Sequence, residues 1–106
     1  MLVSALNRLR QRQKMADYYI TLGTDGPSPK LLPASQEKTV GIINATGDEV
    51  TLTADKGLFV PMPKGGVKIS DGATKDLRLG RNIGTYKYDY GGPGGALGVR
   101  TGRINI

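Results

Sequence analysis

The 106-residue chain contains neither histidine nor cysteine, so the two side chains that most readily carry protons or act as nucleophiles near neutral pH are missing. Acid–base work would fall to carboxylates, lysines or tyrosines, and nucleophilic work to hydroxyls. Asp48 and Glu49 are adjacent; on a strand they point to opposite faces, the wrong arrangement for a pair of glycosidase carboxylates. Asp25, Asp71 and Asp76 sit in or near glycine turns and could offer oxygens to Ca²⁺, yet none has the alternating acidic spacing of an EF-hand loop, and Asp-Gly is first a turn signal. Ser35-Gln36-Glu37-Lys38 spells Ser-x-x-Lys without the further motifs that accompany it in penicillin-recognising enzymes. Asn44-Ala45-Thr46 spells an N-glycosylation acceptor, which in a chain with no evident secretory signal reads more simply as a turn. These residues predict no enzyme, no cofactor and no metal centre.

Three groups of residues carry the remaining functional signals. The first is Gly91, Gly92, Gly94 and Gly95 in the run Gly91 to Gly98, where glycines would let backbone N–H groups approach an anion. The run lacks a Gly-Lys-Ser/Thr ending and leads into a strand where a nucleotide loop would open a helix, so a sandwich-end loop or a subunit contact is the simpler reading. The second is Tyr86, Tyr88 and Tyr90, which fall on one face of an extended chain, with Thr85, Lys87 and Asp89 on the other. Such a stripe either packs against a facing sheet or offers a platform for stacking bases.

The third is the N-terminus. The net charge is +6, and Arg8, Arg10, Arg12 and Lys14 lie in an opening stretch without an acid, leaving 11 basic and 9 acidic residues in the remainder. Leu2, Leu6 and Leu9 recur at helical spacing opposite these cations, with Ser4 as an N-cap, which predicts a short basic amphipathic helix. Helices this short are marginal alone, and the like-charge pairs Arg8/Arg12 and Arg10/Lys14 oppose it. The arm is therefore expected to dock, with its leucines on an apolar protein groove and its cations at the rim. Four phosphate contacts would instead give a log–log salt slope of about −3.6, roughly a hundredfold loss of affinity between 50 and 200 mM salt.

What must position these groups is a strand-rich body. Residues 1–15 read as the arm and 16–106 as one domain, large enough to bury roughly 60 to 65% of the unfolded chain's surface. Met15, followed by Ala16 and Asp17, could serve as an alternative start. Strand patterns run over Tyr18–Leu22, Thr39–Ala45, Glu49–Thr53, Leu58–Val60, Val67–Ile69, Thr74–Leu79, Gly84–Tyr90 and Val99–Ile106. Gly23 to Pro33 reads as a loop or an edge crossing, and Thr46-Gly47-Asp48 as the turn of a hairpin. The expected fold is all-β, an antiparallel Greek-key sandwich of seven or eight short strands, cupredoxin-like or immunoglobulin-like, with the helical basic arm in front. No apolar run approaches the roughly 20 residues of a membrane span, and the N-terminus lacks a continuous apolar export region, so synthesis in the cytoplasm is expected.

Gly84-Thr85-Tyr86-x-Tyr88, followed by a loop, Gly98, Gly102 and the closing Ile104-x-Ile106, resembles the end of a cupredoxin. Gly47-Asp48-x-Val50-x-Leu52 is similar to an earlier strand of that family. In cupredoxins a cysteine after the aromatic strand, a histidine and usually a methionine in the loop, and a histidine from upstream hold copper. The resemblance puts Tyr90, Pro93 and Leu97 or Gly98 at the C-terminal ligand positions, and every ligand type is missing. A trigonal copper site needs imidazole and thiolate, so the resemblance implies the fold without the electron transfer.

The expectation is then a non-enzymatic structural subunit of a larger protein assembly, homo- or hetero-oligomeric, docked through its arm. A virion or phage-particle accessory protein, of the decoration or cement kind, fits that pattern by analogy. The alternative is a nucleic-acid-binding module using the arm and the tyrosine strand.

Overall fold

The computed structural model describes residues 15–93 and 98–106. Nine strands run in chain order: β1 (Tyr18–Gly23), β2 (Gly26–Ser28), β3 (Leu31–Pro33), β4 (Thr39–Asn44), β5 (Val50–Ala54), β6 (Val67–Ile69), β7 (Thr74–Arg78), β8 (Thr85–Gly91) and β9 (Arg100–Asn105). They form two sheets, β2-β1-β4-β7 and β3-β9-β8-β5-β6. The period-two patterns explain the layering. Ile20 and Leu22 of β1, Val40 and Ile42 of β4 and Leu77 of β7 turn inward from one sheet. Val50 and Leu52, Val67 and Ile69, Tyr88 and Tyr90, and Ile104 meet them from the other. Each fully buried aliphatic side chain of this kind contributes about 1.5 to 3 kcal/mol. Leu58, Phe59 and Leu79 plug the end of the sandwich opposite the β8–β9 loop.

The all-β expectation holds, and three of its details are corrected. The sandwich is not wholly antiparallel, because β1 pairs with β4 in parallel, Tyr18 beside Val40, and β3 pairs with β9 in parallel, Leu31 beside Arg103. Nine strands replace the seven or eight expected among the described residues. The proline-rich stretch supplies two short edge strands, β2 and β3, while Leu58–Val60 forms a single bridge between Phe59 and Leu79. Prolines favour such edges, since their missing N–H groups cannot serve a central ladder. Third, β4 and β5 are not a hairpin: the turn at Ala45–Glu49 carries the chain from one sheet to the other. The predicted N-terminal helix lies outside the described residues, within which no helix is long and apolar enough to cross a membrane.

Candidate functional site

The end of the sandwich where β8 delivers its tyrosines is chemically quiet. Tyr88 is fully buried and Tyr90 nearly so, at 0% and 1% exposure, so neither ring presents a face to a base, and the stacking reading is corrected for these two, leaving the half-buried Tyr86. Period two had placed them on one side of the strand; that side is the core. The Tyr90 hydroxyl donates to the Gly23 carbonyl at 2.7 Å, and the half-buried Tyr86 donates to the Asn82 carbonyl at 2.8 Å. The Tyr88 hydroxyl has no partner among the described residues. Its ring lies against Gly102 and Pro27 so closely that a β-carbon at Gly102 would overlap it. Burial pushes the Tyr88 phenol well above its usual range, and Tyr90 beside it adds to the rise. Burial also raises Tyr90, with Arg100 and the Gly23 hydrogen bond pulling part of the way back. Both phenols stay protonated at neutral pH and cannot act as bases.

Beside them, the β4–β5 crossing is locked by one amide. Asn44 is 0% exposed, and its Nδ2 donates to the Asp48 carbonyl at 2.7 Å and the Ile69 carbonyl at 2.9 Å. The Thr46 N–H donates back to Asn44 Oδ1 at 3.0 Å, and the Thr46 hydroxyl sits 2.7 Å from the same oxygen. Asp71 accepts the Gly47 N–H at 3.0 Å. The supposed glycosylation acceptor is thus an internal clip between sheets. Its polar atoms are consumed by the fold.

A purple cupredoxin from Nitrosopumilus maritimus superposes with a TM-score of 0.63 at 17% identity, over 85% of this chain and 99% of that one. The fold is cupredoxin-like. A variant amicyanin in its reduced Cu(I) form gives 0.64 at 16% identity, over 89% of this chain and 87% of its own. Dithionite-reduced auracyanin from the photosynthetic bacterium Roseiflexus castenholzii gives 0.57 at 14%, over 84% of this chain and 94% of that chain. No protein-family model matches the sequence, and no curated protein matches it. Identities this low establish shared architecture and nothing about shared chemistry.

The residues present do not fit copper. The Tyr90 hydroxyl proton is committed to Gly23, and the chain has no imidazole or thiolate with which to build a site. Pro93 and Gly98 are exposed and offer no side-chain donor. Among the described residues, no three of Asp, Glu, His or Cys come together as metal ligands.

Other predicted site residues scatter. The docking set Leu2, Leu6, Leu9, Arg8, Arg10, Arg12 and Lys14 lies outside the described residues, as do Gly94 and Gly95. Gly91 ends β8 opposite Thr51, with Gly92 beyond it at the loop's shoulder. Asp25 and Asp48 lie in separate exposed turns, Asp76 on β7.

Sequence reasoning missed a cleft of about 610 Å³ between the edge strands β6 and β7. Both strands leave the turn Ser70–Ala73, where Asn44 clips the Ile69 carbonyl, and the segment Val60–Gly66 closes the far end. Its apolar wall includes Val60, Pro61, Val67 and Leu77; Lys68, Lys75 and Arg78 supply cations against one acid, Asp76. Gly66 sits on the wall at φ 96°, its α-carbon so close to the Leu52 carbonyl that a side chain would not fit. The Val60 N–H donates to the Arg78 carbonyl at 2.9 Å, which fixes the alternation of β7: even-numbered residues direct their backbone groups away from β4. The N–H and C=O groups of Thr74 and Asp76 therefore face outward with no strand beside them among the described residues. Ile69 fixes the alternation of β6 in the same way, leaving the Val67 backbone facing the cleft. A signal existed: residues 64–81 hold five cations and two acids. Spread through strands and turns, they looked like ordinary solvated positions.

Proposed function

We propose that the chain is a non-catalytic structural subunit of a larger protein assembly, of the virion or phage-particle accessory kind, held in place by its N-terminal arm. One observation carries this reading. The end of the sandwich where β8 runs out is filled by the buried Tyr88 and Tyr90 and by the Asn44 clip, whose polar atoms are largely taken up within the fold, which supports a fold that serves as shape. A rigid body with spent polar groups and a cationic leucine-bearing leader divides the work of display and attachment between its two parts. With Tyr88 and Tyr90 buried and Tyr86 half-buried, a nucleic-acid reading would rest mainly on the arm.

The test is native mass spectrometry and light scattering on the full chain and on a version starting at Met15. Expected is an assembly, or retention on its partner, that the shorter version loses while keeping the same circular dichroism. If both versions are monomers and the full chain binds single-stranded nucleic acid in a salt-sensitive way, the assembly reading is wrong.

A further inference from the structure

We propose that the cleft between β6 and β7 is a docking groove for an extended, acidic peptide segment of a partner protein, which pairs with the free edge of β7. Three observations converge on this occupant. Thr74 and Asp76 present backbone donors and acceptors that no described residue pairs, on an edge strand, the requirement for strand addition. The wall behind that edge is apolar, with the exposed Val60 and Pro61 available to alternate side chains of an added strand and the buried Leu77 beneath. Lys68, Lys75 and Arg78 outnumber Asp76 around the groove, so glutamates or aspartates on the incoming segment meet cations at the rim.

Charge also selects against rivals. Lysines on an exposed edge repel neutral or basic strands by leaving ammonium groups uncompensated, the usual protection against edge-to-edge aggregation. An acidic strand converts that barrier into attraction. The arm of this chain, with four cations and no acid, is excluded by the same argument. The groove is thus a second attachment point, independent of the arm: removing the residues before Met15 would change assembly and leave groove binding intact, so the two readings fail separately.

The test is an amide-shift titration of the full-length ¹⁵N-labelled chain with a capped peptide of alternating glutamate and valine. Expected are shifts confined to Val60, Val67–Ile69 and Thr74–Arg78. They should be absent with the lysine-for-glutamate peptide, and the Lys68→Glu/Lys75→Glu protein should bind the acidic peptide at least roughly tenfold more weakly. Asp76→Pro, on an edge where proline is tolerated, removes an outward N–H without touching β4 and should also abolish binding; undiminished binding would overturn strand pairing. Absence of shifts, equal shifts with the basic peptide, or the same shifts produced by an oligothymidylate would each overturn the proposal.

Discussion

The two long sides of the sandwich use one device to opposite effect. On the first, β2 of one sheet runs through Pro29 and Lys30 into β3 of the other, and β3 is stitched to β9, with the Arg103 N–H donating to the Lys30 carbonyl and the Ala34 N–H to the Asn105 carbonyl, both at 2.9 Å. Pro27 and the Tyr88 ring wedge the gap behind it. On the second, β6 passes into β7 through Ser70–Ala73, but the crossing sits at the extreme end, and below it two backbone edges face each other across open space. A side sealed by chain and ring is structural. A side left open and lined with cations is available for binding, and the contrast shows that position of the crossover, rather than strand content, decides which is which.

The change that should most disturb this contrast is Asn44→Ala, because Asn44 is the clip from which the open side hangs. It strands the Ile69 carbonyl and the Thr46 N–H in a buried setting, each worth about 1 to 3 kcal/mol if left unpaired, while the Asp48 carbonyl keeps the Thr46 hydroxyl as a donor. A net loss of about 3 to 4 kcal/mol by urea denaturation is expected, with early loss of amide protection in β6 and β7. A loss under about 1 kcal/mol would mean that the Ser70–Ala73 turn holds the side together unaided. Next comes Gly102→Ala on the sealed side, where the added methyl drives into the Tyr88 ring between β9 and Pro27. Overpacking of this kind costs about 1 to 3 kcal/mol. Unchanged stability would show that the wedge is looser than the geometry states.

The difference between these two sites also marks what could be read from the chain. Strand positions were legible because apolar residues such as Ile20/Leu22 and Val50/Leu52 recur at period two, a local property. Sheet membership was not, since Thr46-Gly47-Asp48 has the composition of a hairpin turn, yet it lies over the buried Asn44 and leads β5 into the other sheet. The lack of imidazole and thiolate donors is legible from composition alone. The open groove was invisible because it arises from two strands that part in space, each ordinary by itself.

The tyrosine pair gives a smaller effect with opposite signs. Tyr90→Phe removes the hydrogen bond to the Gly23 carbonyl and should cost about 1 kcal/mol. Tyr88→Phe removes a buried hydroxyl that has no partner among the described residues, and should leave stability unchanged or raise it by up to about 1 kcal/mol. Equal losses from both would indicate a hidden partner for Tyr88. The same phenols set an alkaline limit. Their folded pKa values are raised above the unfolded value of about 10, so the folded state keeps its protons longer than the unfolded one. The stability they support is complete below about pH 10 and is lost as pH rises from there toward the folded values. The melting temperature should be flat in this respect from pH 7 to 9 and fall beyond, and the Tyr88→Phe/Tyr90→Phe double variant should fall less steeply.

The smallest expected effect is on the open side itself. Lys68 and Lys75 are exposed, and no salt bridge among the described residues engages either; the ion pair present joins Arg81 to Glu37 at 3.8 Å. An exposed cation without a partner contributes little to folding, and its replacement by alanine normally changes stability by no more than about 0.5 kcal/mol. Lys68→Ala and Lys75→Ala should therefore leave the urea midpoint nearly unmoved, while alanine at the sealed side's Leu32 should cost about 2 to 5 kcal/mol because it is buried between β9 and the core. If the lysine variants lost as much as the leucine variant, these side chains would be holding the two edges in place, and the open side would be a structural wall like its opposite. Near-zero change leaves their charge free for a partner, since a group the fold does not use can change without unfolding the body that presents it.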